Sequence, residues 1–348
     1  MLICTLILMM CPKTMTKPLI TVITPSYNQA EYLEATIVSV LNQGYDNLEY
    51  MIFDGGSTDS SVEIIKRYAP RLTYWATEKD RGQSHAINKG FSRATGDIIT
   101  WLNSDDQLTE NALKTVSDAF ISNPELGLVH GEALLFGQGV HTHTTQYKRE
   151  DAAARQLAGL PFAQPAAFFS RKAFLKSGHL DENLHYGMDY AFFLPMFLSF
   201  PTAYLPHTLA KYLYHPASKT MSSQALFGQD YAAIFSKLLR SVLLPEAQDL
   251  IKSWKEWGFY VDGNSFFELE KPLDKQTLQL AACYNLYFQM IFNYQGLNLE
   301  KVQQITAYIK KLEPAFWNQQ AEIRSIYWRS RYLPKWLMNW QRNRKNVI

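Results

Sequence analysis

The stretch Leu19-Ile20-Thr21-Val22-Ile23-Thr24-Pro25-Ser26-Tyr27-Asn28 decides how the chain is read. A short run rich in β-branched residues gives way to a polar turn, and Leu33, Ile37, Val40 and Leu41 then fall on one helical face, with Gly44 where a C-cap belongs. A buried strand followed by an amphipathic helix is half of a βαβ unit. The pattern repeats: strands are expected over 48–53, 72–76 and 97–102, and a second helix carries Val62, Ile65 and Tyr68 behind the N-cap candidates Thr58-Asp59. A third helix is expected over 83–93 and a fourth over 109–122, ended by Asn123-Pro124. The expected fold class is α/β, a mainly parallel sheet flanked by helices.

After residue 124 the rhythm changes. Short runs between 126 and 147, broken by Gly127, Gly131, Gly137 and Gly139, predict antiparallel strands and mobile loops; 140–146, with His141 and His143 in alternation, reads as a half-exposed strand. An apolar run at 166–169, a short helix over 171–176 and a helix over 186–200 closed by Pro201 follow. From residue 222 the text is helical and rich in aromatics, so a boundary is placed near Met221. Three segments result: 1–17, an apolar leader or a mis-assigned start; 18–220, the α/β domain; and 221–348, a helical C-terminal extension with a basic aromatic tail. Residues 1–10 are about half of what a bilayer span needs. They read as a poor signal peptide, or Met15 is the start, because patterned sequence begins at Lys17-Pro18.

Composition narrows the class. The chain has 348 residues, 47% of them hydrophobic, and a formal net charge of +2, so it can bury a large core and carries no basic excess of the kind that nucleic-acid binding requires. Cys4, Cys11 and Cys283 are too scattered for a disulfide framework or a Cys-x-x-Cys metal pattern. A cytoplasmic protein is expected.

The chemistry lies at strand ends, because ligands of an open α/β sheet bind outside the carboxyl ends of the strands. Thr24 to Asn28 follow the first strand, and Asp54-Gly55-Gly56-Ser57-Thr58-Asp59 follow the second, so both loops should open on one site. Asp54 suits hydrogen bonds from a base or ribose, while Gly55 and Gly56 let the backbone approach a ligand. After the fourth strand comes Trp101-Leu102-Asn103-Ser104-Asp105-Asp106. Adjacent carboxylates at a crevice repel unless a cation lies between them and another anion, and such oxygen ligands suit Mg2+ or Mn2+ completed by phosphate and water. Capping of the next helix is an alternative role for Asp106, though not for Asp105.

Together these motifs resemble the inverting glycosyltransferases of family 2, which have the GT-A fold; the resemblance covers residues 18–218 and rests on the order and spacing of several motifs. It implies that Thr24, Pro25, Ser26, Tyr27, Asn28, Asp54, Gly55 and Ser57 hold the nucleoside side of a nucleotide sugar. It also implies that the stretch from Asp80 through Gly82, Gln83 and Asn88 lines the donor pocket. Asn103-Ser104-Asp105 matches the aspartate-x-aspartate motif with an amide in the first place, an amide that can still bond a ribose hydroxyl. Asp105 is then the metal ligand, with Asp106 beside it. His215 stands where related enzymes keep a histidine near the diphosphate, and joins the metal candidates. The general base of the family is an acid in a stretch like His185-Tyr186-Gly187-Met188-Asp189-Tyr190, which selects Asp189, with Asp181 and Glu182 as the next to test.

The implied partners are a nucleoside diphosphate sugar and a saccharide or lipid-linked acceptor, in surface polysaccharide or glycolipid synthesis. Two other classes compete: a nucleotide-sugar-binding protein without turnover, and a nucleotidyltransferase, disfavoured because no Gly-rich basic loop follows the first strand. The tail carries Arg324, Arg329, Arg331, Lys335, Arg342, Arg344 and Lys345, no acids, and Trp328, Trp336 and Trp340. It reads either as an interfacial segment for an anionic membrane at the inner face, or as a helix packing its tryptophans on the catalytic domain.

Overall fold

The computed structural model describes residues 17–137, 141–147, 149–215, 224–336 and 338. Its first strand, β1 (Ile20–Ser26), is buried along its whole length. Successive residues alternate between two cores. Ile20 and Val22 pack with Leu33, Ile37 and Val40 of α1 (Ala30–Leu41), whereas Ile23 packs with Ala86, Ile87 and Phe91 of α3 (Gln83–Phe91). Helices therefore cover both faces, which is why the strand reads as continuous apolar text.

β2 (Leu48–Asp54), β3 (Tyr74–Thr77) and β4 (Ile98–Trp101) complete a parallel set in the order β3-β2-β1-β4, connected through α1, α2 (Ser61–Tyr68) and α3. The expected parallel arrangement is continuous over these four strands, and beyond β4 the sheet is mixed, with antiparallel pairs beside a further parallel one. β8 (Ala167–Ser170) runs antiparallel to both β4 and β6 (Leu128–Gly137). β9 (Thr202–Tyr214) lies parallel to β6 and antiparallel to the short β5 (Gln107–Leu108), and β7 (His143–Thr144) pairs with β6.

Several expected elements shift at their ends. α2 starts behind Ser60 instead of Asp59, although Asp59 still accepts from the amide of Ser61 at 3.0 Å. α4 (Ala112–Ser122) starts behind Asn111, so Asp106 caps nothing. The half-exposed strand at 140–146 reduces to β7, and Val140, with Gly139, lies outside the described residues. α5 (Ala152–Ala158) and the long β9 carry no clear periodicity in the sequence and were not anticipated.

α6 (Arg171–Ser177) and α7 (Met188–Ser199) follow β8, and α7 is apolar nearly all round. Phe192, Phe193 and Met196 face the sheet, while Tyr190 and Leu194 face the C-terminal helices. Those are α8 (Gln224–Ser241), α9 (Pro245–Glu256), α10 (Lys275–Gln295), α11 (Leu299–Leu312), α12 (Pro314–Gln319) and α13 (Ala321–Tyr332). They share one core with α5 and α7, centred on Phe235, Trp254, Tyr284 and Ile305. The boundary expected near Met221 falls outside the described residues, as do Cys4 and Cys11; Cys283 is buried in this helical core.

Candidate functional site

A cavity of about 800 Å³ opens at the carboxyl ends of β1, β2 and β4, within the usual size range of a small-molecule site. Pro25, Ser26, Tyr27, Gly55, Asp80, Gly82, Gln83, Asn103, Ser104, Asp105, Asp189 and His215 line it, so twelve of the expected site residues meet at one place. Six do not line it: Thr24, Asn28, Asp54, Ser57, Asn88 and Asp106.

Each of those six is spent on holding the walls. Thr24 is buried with its hydroxyl 3.2 Å from that of Tyr50. Asp54 accepts from the amides of Gly56 and Ser57 at 3.2 and 3.0 Å, from the Thr77 hydroxyl at 2.6 Å, and from the Ser57 hydroxyl. Its carboxylate thus organises the loop, with three of the four bonds on Oδ1 and one on Oδ2. Asn28 accepts from the amide of Thr58 at 2.8 Å and gives its own amide to Ser57, which clamps the β1 and β2 loops together. Asn88 exchanges bonds with the backbone of Leu180 and donates to Glu182 at 3.3 Å, tying α3 to the segment ahead of α7. Glu182 also takes the Arg81 guanidinium, and neither Glu182 nor Asp181 lines the cavity.

Asp106 is the largest correction. Its side chain is fully buried, with one oxygen accepting from the Leu213 amide at 3.2 Å and the other from the Asn103 amide at 3.3 Å. Burial, and then the neighbouring Asp105 charge, push its carboxyl well above the usual range. A metal ligand needs an oxygen facing the ligand, and Asp106 has none. The same bonds explain the amide at 103. Asn103 accepts from Gln83 Nε2 at 2.7 Å and donates to Asp106, a donor role that a carboxylate in its place would lack.

Asp105 faces the opening. Its Oδ2 lies 2.9 Å from Nε2 of His215, a partly buried pair, and the His215 ring rests against that of Tyr32, with 4.9 Å between centroids. β9 delivers His215 here because its pairing with β5 brings the end of the strand beside the 103–106 turn. At the adjoining donor loop, a Cβ on Gly55 would come within 2.6 Å of the Asp80 carboxylate, so the close approach of these loops requires glycine.

Asp189 occupies the first turn of α7, an end of a helix where acids are favoured, and its Oδ1 accepts from the amide of Tyr190 at 2.8 Å. The turn before it is fixed from a distance. Asp230 of α8 accepts from the amides of Tyr186 and Gly187 at 3.0 and 2.9 Å, and Gly187 passes so close that a Cβ there would stand 2.7 Å from that of Asp230. The ring of Phe227, also on α8, lies 5.1 Å from that of Tyr186, and both residues line the cavity.

Sequence reading missed Gln29, Trp101, Gln164, His185, Tyr186, Met188, Tyr212 and Phe227 as lining residues. Trp101, His185, Tyr186 and Met188 sit inside stretches already singled out, and Gln164 stands just before a buried strand. Phe227 gives no local signal, since it reaches the site from a helix far along the chain.

Part of the tail is described. Trp328, Tyr332 and Trp336 are 55%, 61% and 70% exposed, and the first two rings stack at 4.9 Å. Among the described residues these three rings are not part of the two cores of the α/β domain. Trp340, Arg342, Arg344 and Lys345 lie outside the described residues. Among the described residues no helix is long and apolar enough to cross a membrane.

An uncharacterized glycosyltransferase of Haemophilus influenzae is 39% identical over 120 residues, which is 34% of this chain and 48% of that protein. A putative teichuronic acid biosynthesis glycosyltransferase of Bacillus subtilis, TuaG, is 39% identical over 101 residues, 28% of this chain and 40% of its own length. The chain thus spans less than half the length of these relatives. Among solved structures, residues 1–349 of S. aureus TarS in complex with UDP-GlcNAc match 90% of this chain and 91% of that one at a TM-score of 0.56 and 16% identity. The mannosyltransferase PcManGT of Pyrobaculum calidifontis, in complex with GDP-Man and Mn2+, matches 91% of this chain and 88% of that one at a TM-score of 0.52 and 18% identity. The fold is that of the GT-A type, a curled α/β sheet between helices with a helical C-terminal part. Residues 21–177 match the family model for glycosyl transferase family 2.

Proposed function

We propose that the chain is a metal-dependent, inverting glycosyltransferase that moves a sugar from a nucleoside diphosphate sugar to an acceptor hydroxyl. The observation that carries this reading is one cavity with the Asp105 and His215 pair and Asp189 in its lining. The loops of β1 and β2, with Asp80, Gly82 and Gln83, hold the nucleoside, and Asn103 is held by Gln83 for a ribose or phosphate contact. Asp189 takes the proton of the acceptor hydroxyl as its oxygen bonds to the anomeric carbon. The bond to the diphosphate breaks on the opposite face and its electron pair leaves with the diphosphate, so configuration inverts in one displacement.

The residues fit a divalent cation. Among the described residues no group of three His, Cys, Asp or Glu converges, so the protein offers two ligands, Asp105 and His215. That is the number expected where phosphate oxygens and water complete the shell, and the imidazole nitrogen favours Mn2+ over the harder Mg2+. When bound, the cation would offset charge on the departing diphosphate.

A nucleotide-sugar binder without turnover is disfavoured, because Asn103 is explained by its bond to Asp106 and not by loss of a metal site. The acceptor is a saccharide or lipid-linked saccharide of surface polysaccharide or glycolipid synthesis. The exposed Trp328, Tyr332 and Trp336 beside Arg329, Arg331 and Lys335 support docking on an anionic membrane surface at the cytoplasmic face. The test is release of nucleoside diphosphate from UDP-, GDP- or TDP-sugars with Mn2+ and candidate acceptors. Asp105→Ala should abolish metal-dependent donor binding and keep the fold; normal metal-dependent binding by that variant, or pyrophosphate as product, would overturn the reading.

A further inference from the structure

Two aromatic rings meet in the cavity on the side of Asp189. Tyr186, three residues before that carboxylate, and Phe227 of α8 both line the opening, with 5.1 Å between ring centroids and 58° between planes. Both are half-buried, so each keeps surface for a ligand. The Tyr186 turn is pinned by the bonds that Asp230 accepts from the amides of Tyr186 and Gly187. Phe292 of α10 stacks on Phe227 at 5.4 Å with 22° between planes, and Phe292 does not itself line the cavity. One face of Phe227 is therefore spent on the helical core, and the surface it keeps is turned to the opening.

The two tilted rings form a corner with polar neighbours, since His185, Gln164 and Asp189 belong to the same lining. Aromatic faces carry partial negative charge and attract the weakly positive C–H groups of an adjoining molecule. A pyranose offers both halves of this match: a face of C–H groups for the rings and a rim of hydroxyls for the polar neighbours. An alkyl chain would match only the aromatic half. A phosphate or carboxylate would call for a cation, and among the described residues of the lining the single lysine or arginine is Lys79, which lies against Gly56 in the loop after β2.

We propose that Tyr186 and Phe227 form the acceptor subsite, where an uncharged sugar ring rests its C–H face on the aromatic corner and turns one hydroxyl to Asp189. The helical C-terminal part thereby takes a share in selecting the acceptor, through Phe227. This rests on the glycosyl-transfer reading above and narrows it: the unit that receives the new bond is a neutral sugar, and any lipid or charged group of the acceptor lies outside the cavity.

The experiment is a saturation-transfer NMR titration on the parent chain, Phe227→Leu and Tyr186→Leu. Its probes are the methyl glycosides of glucose, galactose, mannose, GlcNAc and glucuronic acid, and n-octyl glucoside, each with Mn2+ and UDP, GDP or TDP present. Leucine keeps apolar bulk and removes the ring. The parent should bind at least one neutral methyl glycoside, with the strongest transfer to its ring C–H protons, and each variant should bind it about fivefold more weakly. Calorimetric affinity for the bare diphosphate should stay within about twofold of the parent. Thermal unfolding checks that each variant is folded, and Tyr186→Leu carries the test if Phe227→Leu is not. Unchanged glycoside affinity in the folded variants, an equal fall for the diphosphate, tighter binding of the glucuronide than of every neutral glycoside, or binding of octyl glucoside alone would overturn the subsite. A parent that binds a diphosphate but no glycoside overturns it too while leaving the nucleotide-sugar reading standing, and a parent that binds no diphosphate removes both.

Discussion

Removing the Asp230 carboxylate should loosen the turn that carries the proposed base without touching the donor site. Asp230 receives two backbone amides, from Tyr186 and Gly187, at 3.0 and 2.9 Å. Bonds to a charged acceptor are worth about 1.5–3 kcal/mol each when buried, and this site is half-buried, so about 2–4 kcal/mol together is the working figure. In Asp230→Ala both amides lose that partner and a space opens beside Gly187. Displacing a catalytic group by about 1 Å costs on the order of 10² in rate, so kcat should fall roughly 30- to 100-fold. Binding of the bare nucleoside diphosphate should stay within about threefold, because α8 contributes only Phe227 to the cavity lining. Asp230→Asn keeps a carbonyl oxygen for the amides and should recover most of the rate. The assay is nucleoside diphosphate release at saturating donor, alongside calorimetric binding and thermal unfolding. An unchanged kcat in a folded Asp230→Ala protein, or equal damage in Asn and Ala variants, would refute the positioning role.

Asp189→Asn should keep donor affinity within a few-fold and lower transfer to the true acceptor by a factor on the order of 10² or more, and near-normal transfer would move the base elsewhere. Asp181 and Glu182 then become weak substitutes, since neither lines the cavity. Burial lowers the His130 imidazole from 6.5 to about 4, so the folded chain resists the proton that the unfolded chain accepts. Its contribution is complete above pH 6.5 and is lost as pH falls from there towards 4, by on the order of 3 kcal/mol. His130→Phe, which preserves stacking on Phe162, should flatten that part of the stability profile in urea titrations from pH 7.5 to 4.5; an identical profile would refute it. Trp328→Ala with Trp336→Ala should weaken binding to phosphatidylserine-containing vesicles, and added salt should weaken parent binding too, while equal binding to neutral vesicles would argue against an anionic surface.

Much of this site was legible because the α/β pattern places strand ends together, and the spacing of the 24–28, 54–59 and 103–106 turns then points to one opening. What the residue types could not reveal is direction. Asp54, Asn88 and Asp106 are polar residues near a ligand cavity whose side chains bond sideways into the scaffold, a choice settled by partners such as Thr77, Leu180 and Leu213 that lie far along the chain. His215 was legible as a weak motif, but its pairing with Asp105 depends on β9, a strand with mixed burial and no alternation to announce it. Trp101 opens the quoted strand-end motif, yet the structure buries it in the core at the bottom of the cavity lining.

The bond from Asp230 to the turn before Asp189 bears on how this protein can be taken apart. The family match ends at residue 177, before Asp189, His215, Phe227 and Asp230. A chimera that transplanted only the matched segment would inherit the loops of β1 and β2 and the Asp105 turn, but it would have to borrow the Asp189, His215 and Phe227 side of the cavity from the host. Swapping tails between relatives therefore exchanges part of the cavity wall itself, and under the proposed function specificity for the acceptor should travel with the helices and specificity for the nucleotide with the sheet.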